Sequence, residues 1–193
     1  MGTVFVDNIK HQSSQGSGTI TVGASGETVA PASGVMTKLG VFENQLLHVQ
    51  DQKSAAEGGT FTSGAWRTRD LNTILTNEIT GASLSSNQIT LPSGTYYIDA
   101  SAPGYRVDRH QLRLRNITDS STIFHGSSEF SYNVNLVNNR SLVKGRFTIS
   151  AQKVFELQHR AETTHATFGF GVCPDSGMGQ NGRYSEVQIW RIA

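Results

Sequence analysis

Alternation with a period of two, sustained through the last third of the chain, limits the fold more than any other feature of this sequence. Residues 141–150, 153–160 and 185–192 each read as a strand whose side chains point to opposite faces in turn. Val143, Phe147 and Ile149 share one parity, as do Phe155 and Leu157, while Glu156, Gln158 and Arg160 take the other. A chain patterned this way folds as β structure. Near the C-terminus apolar side chains occupy both parities, Val187 and Ile189 against Trp190 and Ile192. A sheet packed on one face and wetted on the other has no need of that, so something covers the second face, and a partner subunit is the simplest cover.

With 193 residues the chain suits one ordinary domain plus an extension, and 20 glycines point to turn-rich β architecture rather than helices. Sixteen basic against 15 acidic side chains leave a net charge of +1, which argues against a nucleic-acid partner. A single cysteine, Cys173, excludes an internal disulfide framework and reads as a partly buried small side chain. No apolar run reaches the ~18 residues of a membrane span. The N-terminus has neither the basic nor the apolar region of a secretory signal. The expectation is a soluble protein made in a cytoplasm, with no membrane insertion.

Residues 1–39 are dominated by Ser, Gly and Thr, with short β-like runs at 3–7 and 18–22. Such a segment is either flexible or wound with identical copies and docked on a larger body. The alternating Val, Phe and Ile favour the second reading. From residue 40 the hydrophobic content rises. Residues 41–50 read as the first strand of the main domain, and 69–78 as the one weak helix candidate. Pro92-Ser-Gly94 forms a turn between two alternating runs, since Pro presets φ and Gly accepts unusual values. In residues 105–115 the parity slips between Val107 and Leu112, which predicts a bulge near 108–110. Roughly eight to ten short strands with no second helical block describe a sandwich or jelly roll. No repeat of 20 to 50 residues is visible.

The run Leu91-Pro-Ser-Gly-Thr-Tyr-Tyr-Ile98, read as a hairpin, comes with Gly145-Arg-Phe-Thr-Ile149, the strand Phe155-Glu-Leu-Gln-His159, Phe168-Gly-Phe-Gly171 and a closing strand ending in Trp190-Arg-Ile192. Together, over residues 53–193, they resemble the C1q and tumour-necrosis-factor-like jelly rolls found as terminal knobs of bacteriophage fibres. The runs at 3–10 and 18–29 are similar to the opening segment of virion fibre proteins of marine phages, including those of cyanobacteria. The resemblance implies an all-β jelly-roll β-sandwich that assembles as a homotrimer. It has an N-terminal attachment segment at 1–39, a knob at 40–193, and a job at a surface. The collagen-like stalk of C1q relatives does not carry over, because no Gly-X-Y period exists.

Catalytic and metal patterns are weak. Gly177 to Gly182 matches G-x-G-x-x-G, but a strand follows where a dinucleotide fold needs a helix, so it reads as a loop. The six histidines lack the i, i+4 spacing of a zinc helix, although His110, His125, His159 and His165 could meet in space. There is no Gly-x-Ser-x-Gly elbow and no glycosidase-like acid pair. No enzyme activity, cofactor or metal is expected. The Asn116 and Asn139 sequons mean little without a secretory signal.

If successive strands alternate in direction, counting back from the C-terminus puts the 173–183 loop at the apex, away from residues 1–39. The 162–164 turn falls at the base, 151–152 at the apex, 138–139 at the base, and a long polar connection at 118–129 at the apex. The expected binding residues are therefore His125, Asp175, Gln180, Asn181, Arg183 and Tyr184, with Tyr184 and Arg183 stacking on and hydrogen-bonding a sugar. The expected trimer contacts are Val187, Ile189, Trp190 and Ile192. The resulting expectation is a virion protein, a trimeric tail fibre or spike held to other virion proteins by residues 1–39, whose knob attaches to a host-surface glycan or envelope component. The alternatives are a capsid or tail decoration protein that needs no receptor and a cellular C1q-like binding module.

Overall fold

A computed structural model of the chain describes residues 45–173 and 181–192. They form eleven strands: β1 Gln45–Ser54, β2 Arg67–Thr68, β3 Thr73–Asn77, β4 Ser83–Ser85, β5 Gln88–Leu91, β6 Gly94–Tyr105, β7 Asp108–Asn116, β8 Ser121–Ser131, β9 Asn138–Ile149, β10 Lys153–Ala161 and β11 Asn181–Arg191. The first sheet runs β3-β1-β11-β6-β9 and the second β4-β5-β10-β7-β8, with β2 also on β10. Every pairing is antiparallel, and the chain crosses repeatedly from one sheet to the other, which is a jelly-roll sandwich.

Alternation fixes what lies between the sheets. Across the first sheet, Leu47, Ile189 and Ile98 stand in one row and Val49, Val187, Ala100 and Val143 in the next. All of them are buried. Leu112, Leu114, Phe155 and Leu157 answer from the second sheet. Phe147 sets its ring 5.6 Å from Tyr96 and 5.5 Å from Phe155, joining the two layers. Gly145 has to be glycine, because a Cβ there would stand 2.6 Å from the Phe124 ring of the facing sheet.

Several expectations fail for identifiable reasons. The helix candidate at 69–78 is the edge strand β3, in which neighbours Ile74 and Leu75 are both about half exposed, so neither helical nor strand periodicity shows. Pro92 and Ser93 do not close a hairpin: β5 and β6 lie in different sheets, and the turn carries the chain between them. The slip after Val107 is likewise a change of sheet. β6 ends at Tyr105, and Arg106 and Asp108 take φ of 54° and 58°, the left-handed region, to start β7 in the second sheet. The polar connection at 118–129 is mostly β8, an edge strand whose outward side needs no apolar residue.

The loop ends must be reassigned as well. Residues 162–173 contain no strand, only a bridge between Phe61 and His165, so that whole stretch stays at one end. Removing the strand assumed there reverses every earlier turn. Residues 55–66, 106–107, 132–137 and 162–173 gather at the apex, since Gly58 donates to the Gly171 carbonyl and Tyr105 pairs with Asn138. The turns at 92–93, 117–120 and 150–152 lie at the opposite end, where β1 begins. The first strand covers Gln45–Ser54, and the division at residue 39 falls outside the described residues.

Candidate functional site

Each sheet presents an outward face. On the first sheet three rows cross β1, β11, β6 and β9: Leu46–Trp190–Tyr97–Arg146, then His48–Gln188–Asp99–Lys144, then Gln50–Glu186–Ser101–Leu142. The Trp190 and Tyr97 rings lie 6.3 Å apart, with Tyr97 40% exposed. Ile192 and Leu142 are similarly open. In the polar rows Glu186 accepts from Gln50 and lies 2.7 Å from His48 Nε2. Burial works against its charge, yet these bonds hold the carboxyl below the usual range.

On the second sheet the outward rows are Glu156–Arg115–Thr122, Gln158–Arg113–His125, Arg160–Gln111–Ser128 and Glu162–Arg109–Phe130. Most of their polar atoms are engaged. Thr68, Gln88 and Gln158 all donate to Glu156, which holds it below the normal carboxylate range although burial opposes this. Arg113 donates twice to Gln158, and Arg109 pairs with Glu162 at 2.9 Å. A bulge on β8 sets Gly126 and Ser127 opposite Leu112. A Cβ on Gly126 would come 2.5 Å from the Leu142 carbonyl, so only glycine lets the strand pass this close to β9.

Near the apex this second face sinks into a cavity of about 1040 Å³. One wall is Phe130, with the Arg109 guanidinium 6.0 Å from its ring centre. The other is Trp66, packed on the Arg113 guanidinium at 4.2 Å and 5.9 Å from the His125 ring. Arg160 and Gln111 lie between, with Gln111 donating to the Gly126 carbonyl. Among the described residues the Arg160 side chain and the Trp66 indole N–H have no hydrogen-bond partner, and Arg160 has no ion pair.

Behind the cavity is a buried polar cluster. His110 Nδ1 lies 2.9 Å from His159 Nε2, and His110 Nε2 lies 2.9 Å from Asn139 Oδ1. Asn139 gives its amide N–H to the Phe130 carbonyl, so its oxygen accepts from His110 Nε2–H. His110 Nδ1 is then the acceptor, His159 donates through Nε2, and His159 Nδ1 is left without a partner. Beside them Arg69, fully buried, donates to the carbonyls of Pro103 and Phe170 and stacks 4.0 Å over the Phe170 ring. Its Nε has no partner, and among the described residues it forms no ion pair. Burial lowers its pKa to about 9, which leaves it charged at neutral pH. Burial also drives His159 well below the usual imidazole value, helped by Arg69 and His110, and lowers His110.

The expected binding residues are scattered by this geometry. His125 is exposed beside Trp66, on β8 rather than in a loop, at the edge of the cavity. Asn181 and Arg183 are exposed at the start of β11, in the other sheet. Tyr184 cannot stack on a ligand. It is 1% exposed, and its hydroxyl donates to the Ala56 carbonyl, with burial pushing its pKa up. Asp175 and Gln180 lie outside the described residues, as does most of the G-x-G-x-x-G run, whose last two residues, Asn181 and Gly182, open β11. Of the trimer set, Val187 and Ile189 fill the chain's own core, whereas Trp190 and Ile192 face outward. Of the four histidines, His110 and His159 meet, while His165 packs against Tyr105 and Phe168. Trp66, Phe130, Gln111 and Arg160 went unrecognised. The signal for Gln111 and Arg160 was the polar parity of β7 and β10, which reads equally as a wetted face, while Trp66 just before β2 and Phe130 on the edge strand β8 carried none. Among the described residues no group of three His, Cys, Asp or Glu is arranged to hold a metal ion, and no helix is long and apolar enough to cross a membrane.

No protein-family model matches the chain, and no curated protein sequence does. Solved structures do resemble it in fold. The Eiger TNF structure from S. frugiperda superposes with a TM-score of 0.56 at 11% identity, covering 78% of this chain and 93% of that one. Murine APRIL at pH 5.0 gives 0.51 at 8% identity, covering 78% and 100%. The PRD1 vertex protein P5 gives 0.48 at 15%, covering 77% and 97%, too distant a superposition to bear on function. The described residues thus have the tumour-necrosis-factor-like jelly-roll fold.

Proposed function

We propose that the chain is a trimeric virion attachment protein, a fibre or spike in which residues 1–39 mount the particle and the jelly roll engages a host surface. The observation that carries this reading is the row Leu46–Trp190–Tyr97 on the outward face of the first sheet. Partly exposed aromatic and aliphatic groups aligned across neighbouring strands, with Tyr97 the most open, are what a homo-oligomer buries. With that face against sister copies, the second sheet and the apex stay open to a partner. A decoration protein without a receptor is the second reading, supported by the saturated bonding of Glu156, Arg113 and Arg109.

Light scattering on the full chain at micromolar concentration tests the assembly: a trimer is expected, and a monomer would overturn the reading. Copy number per particle separates the two roles, a few copies at a tail favouring attachment and a number matching the capsid lattice favouring decoration.

A further inference from the structure

We propose that the cavity between Trp66 and Phe130 binds an acidic saccharide, its anionic group on Arg160 and a sugar ring against the indole. The inference rests on the reading of the chain as a surface-binding protein and adds the site and the ligand chemistry. Three observations carry it.

The first is shape. The two aromatic walls stand on rows Glu162–Arg109–Phe130 and Gln158–Arg113–His125, four residues apart along β7, or about 13 Å at the strand rise. The trough between them crosses three strands, so it is long enough for a chain of rings rather than a single small molecule.

The second is which groups are idle. Phe130 is 51% exposed, and the Trp66 N–H and Arg160 guanidinium have no partner among the described residues. The neighbouring groups are already satisfied: Arg109 on Glu162, Arg113 on Gln158, Gln111 on Gly126. The site therefore offers unused donors and aromatic surface, which matches a ring carrying acceptor oxygens. Arg160 sits in the middle row and lines the cavity, where its planar fork suits a carboxylate or sulfate.

The third is charge. Along the outward rows Arg109, Arg113, Arg115 and Arg160 face Glu156 and Glu162. Within the cavity lining Glu129 and Glu162 balance Arg109 and Arg160, but Glu162 is held by Arg109 and Glu129 by Ser127 and Asn139, so Arg160 is the cation left to meet an anionic group.

The test titrates the full chain with oligogalacturonate, with hyaluronan fragments and dextran sulfate as further acidic probes and maltohexaose as the neutral one. Binding is followed by amide chemical shifts. Binding of at least one acidic probe is expected, weakening with salt. Arg160→Ala, at an exposed position, should weaken it about tenfold or more, the scale of a lost charge-assisted bond. Phe130→Ala should also weaken it, with the melting temperature unchanged. Binding to none of the probes, equal binding of maltohexaose, or an unaffected Arg160→Ala variant overturns the proposal. If any of these occurs while the protein is still a trimer that adsorbs to cells, the groove assignment fails alone. A monomer sinks the underlying reading instead.

Discussion

On the first sheet the outward rows set Leu46, Trp190 and Tyr97 side by side, whereas on the second they set Glu156, Arg113, Arg109 and Glu162. Both sheets are antiparallel and both turn an apolar parity inward to the shared core. The difference lies in how the outer parity meets water. The second face satisfies most of its polar atoms within itself, as in the triple donation to Glu156, and leaves Arg160 to water, so it is stable when wet. The first leaves the Tyr97 ring 40% exposed and Trp190 partly so, which costs hydrophobic free energy unless a second molecule covers it. On the proposed reading the first sheet is the assembly face and the second the recognition face.

The sharpest way to break this comparison is to charge the first face. Tyr97→Glu with Trp190→Glu should take the assembly to a 20.9 kDa monomer by light scattering while the circular dichroism of the β-sandwich persists. An intact trimer would show that subunits meet elsewhere.

Two adjacent residues separate folding from assembly. Ile189→Ala opens a cavity between the sheets and should cost about 2–5 kcal/mol in urea unfolding. Trp190→Ala, one position on and facing out, should move the oligomeric equilibrium far more than the unfolding of the monomer. Similar unfolding costs for both would mean the outer ring packs as core.

How much of this was readable follows from where each signal lives. The partition of Val143, Phe147, Phe155 and Leu157 to one side needed only local alternation, and it appears in the core as expected. The two-sided apolar pattern of β11 was also real, although Val187 and Ile189 serve the chain's own core and only Trp190 and Ile192 face outward. Edge strands were opaque. β3 and β8 have no apolar parity, because one edge and one face of each meet solvent. Mistaking residues 162–173 for a strand-containing segment then inverted the ends of the sandwich. In the Arg69–His159–His110 cluster, His110 and His159 were two of four histidines that could meet in space, but nothing singled out that pair or Arg69, since His110 and His159 lie 49 positions apart and meet only once β7 and β10 pair.

That cluster gives the apical end of both sheets a shared acid sensitivity. The His110–His159 bond needs Nδ1 of His110 unprotonated, and a proton on His159 would add a cation beside Arg69, with Glu129 the acid facing His110. Both histidines have folded-state pKa values lowered from about 6.5, so below that pH the unfolded chain binds more protons than the folded one. Stability should fall as pH drops through and below about 6.5, read as a lower urea midpoint at pH 5 than at pH 7.5. His159→Met should flatten that slope. A midpoint unchanged between the two pH values would mean the cluster is already open to water.

The smallest effect gives the finest test of the comparison. Each face carries an exposed ion pair, Lys144–Asp99 on the first at 2.7 Å and Arg109–Glu162 on the second at 2.9 Å. If the second face is wetted, a double-mutant cycle on Arg109 and Glu162 should give about 0.2–1 kcal/mol, shrinking with salt. If the first face is covered by sister copies, the Lys144–Asp99 pair loses part of its hydration in the assembly. Its coupling, measured on the intact oligomer, should then exceed that of the other pair and resist salt. In the Tyr97→Glu, Trp190→Glu background the first face is exposed again and the two couplings should converge. Equal couplings in the unmodified protein would leave both faces equally wet, and the contrast between the sheets would reduce to composition.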